Sequence, residues 1–199
     1  MERTTGLKFI NIQTYFMKYL LSFMLIAALC SFNLVEDIYS LSVKTIEGKS
    51  IDLSNFKGKK MLFIMLPSSA NDSSAAATEL SVLLTKYNSD LVVIGIPAKE
   101  TGIGNMDEKK LGSLYMNQPD NFILTESMQV KKEVADQQSS LIQWLTNKDK
   151  NGHFDQDKLE PGHKFFVDEA GELYAVMGPE TKLSNAVIDK ILSKAFVKK

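Results

Sequence analysis

The sequence predicts an α/β fold: a central mixed β-sheet with helices on both faces, preceded by an N-terminal β-hairpin. Three observations carry this expectation. The runs Met61–Leu66 and Leu91–Ile96 hold no polar side chain, and strands apolar on both faces belong in the middle of a covered sheet. Between them, Leu80, Leu83, Leu84 and Tyr87 recur at helical spacing. Further on, two short apolar segments flank Asp168-Glu169-Ala170-Gly171, a turn composition that pairs them as a hairpin. Strands and helices alternating in this way give an α/β arrangement.

Each element follows from its residues. Ile38 to Ile46 alternates, Glu47-Gly48-Lys49-Ser50 supplies a turn, and Ile51 and Leu53 resume the apolar positions, which reads as the first hairpin. Phe56-Lys57-Gly58-Lys59-Lys60 is a second turn, leading into the first buried strand. Pro67 ends that strand. The polar stretch 68–74 reads as a loop, with Asp72 or Ser73 capping a helix from about Ala75 to Tyr87. Pro97 closes the second buried strand. A helix is expected over Met106–Met116 and a short strand over Phe122–Thr125. Leu141, Ile142, Trp144 and Leu145 mark an amphipathic helix over Ser139–Thr146, and a polar loop follows from Asn147 to Pro161. Lys164–Val167 and Leu173–Met177 form the second hairpin. A last helix, Ser184–Phe196, turns Val187, Ile188, Ile191 and Leu192 inward.

The N-terminus reads as an address. Arg3, Lys8 and Lys18 stand against Glu2 alone, and Tyr19–Leu29 then carries no charge. A basic segment before an apolar run too short to span a bilayer comfortably is the pattern of a secretory signal. Met17-Lys18 is a more usual start for such a signal than Met1. Ala27-Ala28-Leu29-Cys30-Ser31 resembles the end of a bacterial lipoprotein signal, in which small residues precede a cysteine that is acylated and becomes the new N-terminus. Leu29 departs from the small residue usual there. The resemblance implies a signal over residues 1–30, a lipid on Cys30, a tether over 31–37 and a domain over 38–199. It places that domain at the cell envelope of a bacterium, with the lipid bilayer as one partner. Ordinary secretory cleavage is a second reading. An uncleaved anchor from about Tyr15 to Leu34 is a third, weakened by Lys18 inside the span. All three export the domain.

Without residues 1–30, the chain keeps 20 basic and 23 acidic side chains, a net charge of −3, so nothing electrostatic favours nucleic acid. Cys30 is the one cysteine. The domain therefore has no disulfide and must draw its stability from its core.

Several strings resemble the glutathione peroxidase family of the thioredoxin-like fold. GKSIDLSNFKGKKMLFIM is similar to the family's opening, and TELSVLLTKYNSDLVVIGIPA to its first helix, second central strand and proline-ended loop. KFFVDEAGELY is similar to the hairpin after the family's Trp-Asn motif. The helix-bearing insert between Pro97 and Lys164 favours this family over shorter redoxins. The resemblance runs from about Tyr39 to Leu192 and implies the fold, a thiol peroxidase activity and a three-part site. Its functional residues do not carry over. Ala70 stands where the family has its peroxidatic cysteine or selenocysteine, Glu100 where it has glutamine, and Glu160-Pro161 where it has Trp-Asn. Peroxide reduction needs a thiolate to attack the O–O bond and a second thiol to reduce the sulfenic acid. Alanine offers neither, and an ionised glutamate accepts hydrogen bonds where the family's site donates them. The expectation is a degenerate relative without catalytic residues or cofactor, acting as a binding or scaffold module on an unidentified protein or small molecule. The alternative is a peroxidase by family resemblance.

Other candidates are weaker. Asn147, Asp149, Asn151 and Asp155 fall at oxygen positions of a calcium loop, with Gly152 at its turn, but Asn147 replaces the usual first aspartate and Lys158 stands where a bidentate glutamate belongs. That leaves surface turns as the simpler reading and an ion-binding module as a third function. His153 and His163, ten residues apart among acids, match no zinc spacing and read as exposed loop histidines. The serines at 68, 69, 73 and 74 have no base marked beside them and read as turn and cap residues. Trp144 reads as core, and Glu79 as a solvated helix residue.

Overall fold

The computed structural model describes residues 35–67, 70–99, 108–115, 117–131, 138–156 and 158–194. Residues Met1–Leu34, including the expected signal and Cys30, lie outside them, and Val35–Lys199 is a compact unit by itself.

The two apolar runs become β3 (Lys60–Leu66) and β4 (Leu91–Pro97), parallel neighbours in register from Lys60↔Leu91 to Leu66↔Pro97. Parallel pairing needs a crossover, and the helix α1 (Ala70–Tyr87) supplies it. β5 (Phe122–Leu124) adds a parallel edge beside β4. On the other side β6 (Lys164–Val167) pairs antiparallel with β3, and β7 (Leu173–Met177) antiparallel with β6. The sheet order is β5-β4-β3-β6-β7, the expected mixed sheet.

Alternation along β3 divides two cores. Met61, Phe63 and Met65 face Val92, Ile94, Phe165 and the indole of Trp144. Leu62, Ile64 and Leu66 face Leu80, Leu84, Phe166 and Ile188. The first core is closed by α3 (Ser140–Thr146) and the N-terminal hairpin. The second is closed by α1, α2 (Glu108–Tyr115) and α5 (Ala186–Leu192). The expected hairpin forms in part: β1 (Ser42–Lys44) pairs with β2 (Ser50–Asp52) across a turn at Gly48. Ile38–Ser40, expected at the start of its first strand, is instead a 3-10 turn that Asp37 caps by accepting from the Tyr39 amide at 2.9 Å.

Four further expectations need correction. α1 starts at Ala70, not near Ala75, so Asp72 and Ser73 lie inside the helix and are not its cap. Polar residues here read equally as loop or as first turn. Ala75, Ala76 and Ala77 favour helix by propensity. The polar loop after Thr146 contains a short helix, α4 (Lys148–Asn151), which Asn147 caps by accepting from the Asp149 amide at 2.9 Å. Gly152 ends it in the left-handed conformation at φ 79°. The last helix is shorter than expected, running from its Asn185 cap to Leu192. Finally, the described end of the expected tether is fastened down. The Glu36 amide donates to Lys150 O at 2.8 Å, Glu36 O accepts from Trp144 Nε1 at 2.7 Å, and its carboxylate pairs with Lys150 Nζ at 3.1 Å.

The turn between β6 and β7 holds the start of the domain. Gly171 has φ 91°, and a Cβ there would lie 2.7 Å from Tyr39 Cε2 and 2.9 Å from Ile38 Cγ2. Gly171→Ala is thus expected to cost about 2–4 kcal/mol through left-handed strain and overpacking. Urea unfolding checks this, and a loss below about 0.5 kcal/mol would mean that the turn relaxes freely.

Candidate functional site

Two of the three family-like positions lie at the C-terminal end of β3, beside the point where Pro67 stops the strand. Ala70 is the first residue of α1, just beyond β3. The chain from Glu160 to His163 turns beside the same strand end. Gly162 N donates to Met65 O at 2.7 Å, and Met65 N donates to His163 O at 2.9 Å. Gly162 takes φ 90° under Pro179, whose Cα would meet an added Cβ at 3.2 Å. The fold therefore brings Ala70 and Glu160-Pro161 to one end of the sheet. Glu100 lies outside the described residues. β4 leads toward it, through the Lys99 amide donating to Met128 O at 2.9 Å.

The two titratable side chains of the 160–163 turn are already engaged. His163 is buried at 8% exposure, contrary to the expected exposed loop histidine. Its Nδ1 lies 2.9 Å from the Glu160 amide nitrogen and 3.1 Å from Glu160 O, which commits the ring to holding the turn. The Glu160 carboxylate pairs with Lys158 Nζ at 2.6 Å. That hydrogen bond and charge hold its pKa below the ordinary glutamate value, so Glu160 stays an ionised acceptor. It cannot donate as the family's Trp-Asn pair does.

One residue at this end escaped the sequence reading. Lys164 is 3% exposed, and its ammonium donates to Gly162 O and Gly178 O, tying the 160–163 turn to the end of β7. Burial pushes its pKa below that of an ordinary lysine, while the charges of Glu180 and Glu79 oppose the shift. A lysine opening the otherwise apolar KFFV strand was the signal. Glu79 is likewise no merely solvated acid, because its Oε2 accepts from the Leu183 amide at 3.0 Å.

The remaining candidates do not assemble. Asn147 Oδ1 accepts from Asp149 N, and Asp155 Oδ1 accepts from Lys148 N at 2.8 Å. Asn151 is 1% exposed and spends its side chain on four backbone groups. The oxygens of the calcium-like loop are therefore caps, and three of the four already hold amide protons. His153 Nε2 meets Glu172 Oε2 at 2.7 Å on the surface. Among the described residues, no group of three His, Cys, Asp or Glu side chains could hold a metal. Ser68, Ser69 and Cys30 lie outside the described residues. Trp144 is core as expected, and its indole is committed to Glu36. A cleft of about 510 Å³ lies at the opposite end of the sheet, lined by Lys60, Tyr87, Asp90 and Glu169 among others. It is separate from the family-like positions.

No family model matches the chain. Glutathione peroxidase 1 of Caenorhabditis elegans is 26% identical over 149 residues, covering 74% of this chain and 90% of the relative. The probable phospholipid hydroperoxide glutathione peroxidase of Solanum lycopersicum is 22% identical over 160 residues, covering 80% and 92%. Among solved structures, the crystal structure of Trgpx in apo form superposes with a TM-score of 0.58 at 20% identity, covering 78% of this chain and 93% of that one.

Proposed function

From a chain related to the glutathione peroxidases and built on a thioredoxin-like fold, we propose a non-catalytic binding or scaffold module, anchored at the envelope of a bacterium. One observation carries the non-catalytic part: Cys30 is the only cysteine of the chain, and it precedes the domain. The reaction implied by the resemblance consumes a thiolate and regenerates it with a thiol. Neither can come from within the domain. The commitments of His163 and Glu160 support the same reading, because the His163 ring holds the 160–163 turn and the Glu160 carboxylate, paired with Lys158, is an ionised acceptor. The anchor is supported by the basic and apolar residues before Cys30 and by its position ahead of the domain in the sequence.

The relatives' names favour a second reading, a thiol peroxidase, and one assay separates the two. Residues 31–199, supplied with peroxide and either glutathione or thioredoxin, are expected to consume no more peroxide than a heat-killed control. Clear excess consumption would overturn the non-catalytic reading. Cys30→Ala is expected to abolish acylation and membrane retention of the full chain. Unchanged membrane fractionation would remove the lipid anchor.

A further inference from the structure

The place where the chain enters the domain sets how an anchored domain can stand on a membrane. Four residues, and so five Cα-to-Cα steps, separate Cys30 from Val35, so an acylated Cys30 holds Val35 within about 17 Å of the bilayer surface. A compact domain of this size is about 40 Å across. The tether is therefore shorter than the domain, and the far side cannot reach the lipid. Nor can the entry point swing away, because the three Glu36 bonds fasten it to α3 and α4.

That entry lies at one end of the central sheet. Val35 sits over Gly152, its Cγ2 3.1 Å from where a Cβ would stand. The next residue, His153, reaches Glu172 in the β6–β7 turn, and Glu169 of that turn pairs with Lys60, the first residue of β3. The Glu160–His163 turn bonds to Met65, near the other end of the same strand. A seven-residue strand spans about 20 Å, so entry and family-like positions occupy opposite ends of the sheet. Beside the entry stand two exposed apolar side chains, Val35 at 53% and Phe154 at 37% exposure. The exposed charges around them, Lys148 against Asp149 and Asp155, give no net attraction to anionic headgroups.

Resting on the lipid-anchor reading, we propose that the domain lies on the bilayer through Val35 and Phe154, with the C-terminal ends of β3 and β4 turned outward. The tether and shallow apolar contact hold this face down. Whatever the outward end binds then approaches from the aqueous side.

The cysteine-free domain allows a direct test, because acylation consumes the only native thiol. Full-length chain carrying Phe154→Cys or Lys99→Cys is labelled with a fluorophore and placed in vesicles containing nitroxide lipids. Quenching is expected to be several-fold stronger at position 154 than at 99, with Lys148→Cys behaving like 154 and guarding against local disturbance. Equal or reversed quenching in protein that fractionates with membranes overturns the orientation and leaves the anchor standing. Protein that remains in the soluble fraction overturns the anchor, and the orientation with it.

Discussion

Trp144→Ala is expected to lower stability by about 3–5 kcal/mol, the usual range for deleting a buried large aromatic side chain. The indole is 1% exposed and packs in the core shared by β3, β4, β6 and α3. Collapse around the hole is restricted, since its neighbours include strand side chains fixed by the sheet. The substitution also removes the Nε1–H that Glu36 O accepts at 2.7 Å. Trp144→Phe separates these effects. It keeps much of the apolar volume and drops the donor, with an expected loss of about 1–2 kcal/mol from the smaller ring and unpaired carbonyl. Urea unfolding followed by far-ultraviolet circular dichroism gives both values. Tryptophan fluorescence would not serve, because this is the only tryptophan. A Trp144→Ala loss under about 1 kcal/mol would show that α3 and the entry segment contribute little to holding the fold.

What was legible in the sequence follows how many physical solutions each pattern allowed. β3 and β4 could be read because an unbroken apolar run bounded by proline and turn residues has few uses other than a buried strand. The β6–β7 hairpin agreed at both strands, since both its apolar runs and its glycine turn point the same way. The start of α1 was not legible, because serine, asparagine and aspartate serve loops, caps and first turns alike. At the candidate site, the missing thiol needed only a count of cysteines. Which groups had been taken up by the fold did not show. His163 reads as a surface histidine in sequence, yet its ring packs against the Glu160 amide; Lys164 carries no sequence signal beyond opening an apolar strand, yet its ammonium bridges two turns. Hydrogen bonds between residues distant in sequence leave no periodicity to read.

Asn151→Asp should produce a loss of stability that grows with pH, and this change tests the meaning of the calcium-like loop. The native side chain is 1% exposed. Its Nδ2 donates to Trp144 O at 2.8 Å and Phe154 O at 2.9 Å, while its Oδ1 accepts from the amides of His153 at 2.7 Å and Phe154 at 2.8 Å. Alanine would strand these groups, at an expected cost of about 3–5 kcal/mol after partial rehydration. Aspartate keeps the shape and the acceptor but turns its second oxygen toward two carbonyls. Its carboxyl must then be harder to ionise in the folded chain than in the unfolded one, where it titrates near about 3.9. A raised folded pKa means that the native state binds the extra proton. Stability relative to wild type is therefore highest below about pH 4 and falls as pH rises through the interval between the two pKa values. Denaturant titrations at pH 4 and pH 7 measure the difference, and a pH-independent gap would contradict the hydrogen-bond assignment. Calcium supplies the opposing outcome. Were Asn151 a ligand, the added charge would strengthen binding, and millimolar calcium would raise the melting temperature of Asn151→Asp more than that of wild type. Because the side chain is already spent on the backbone of its own turn, neither protein is expected to shift.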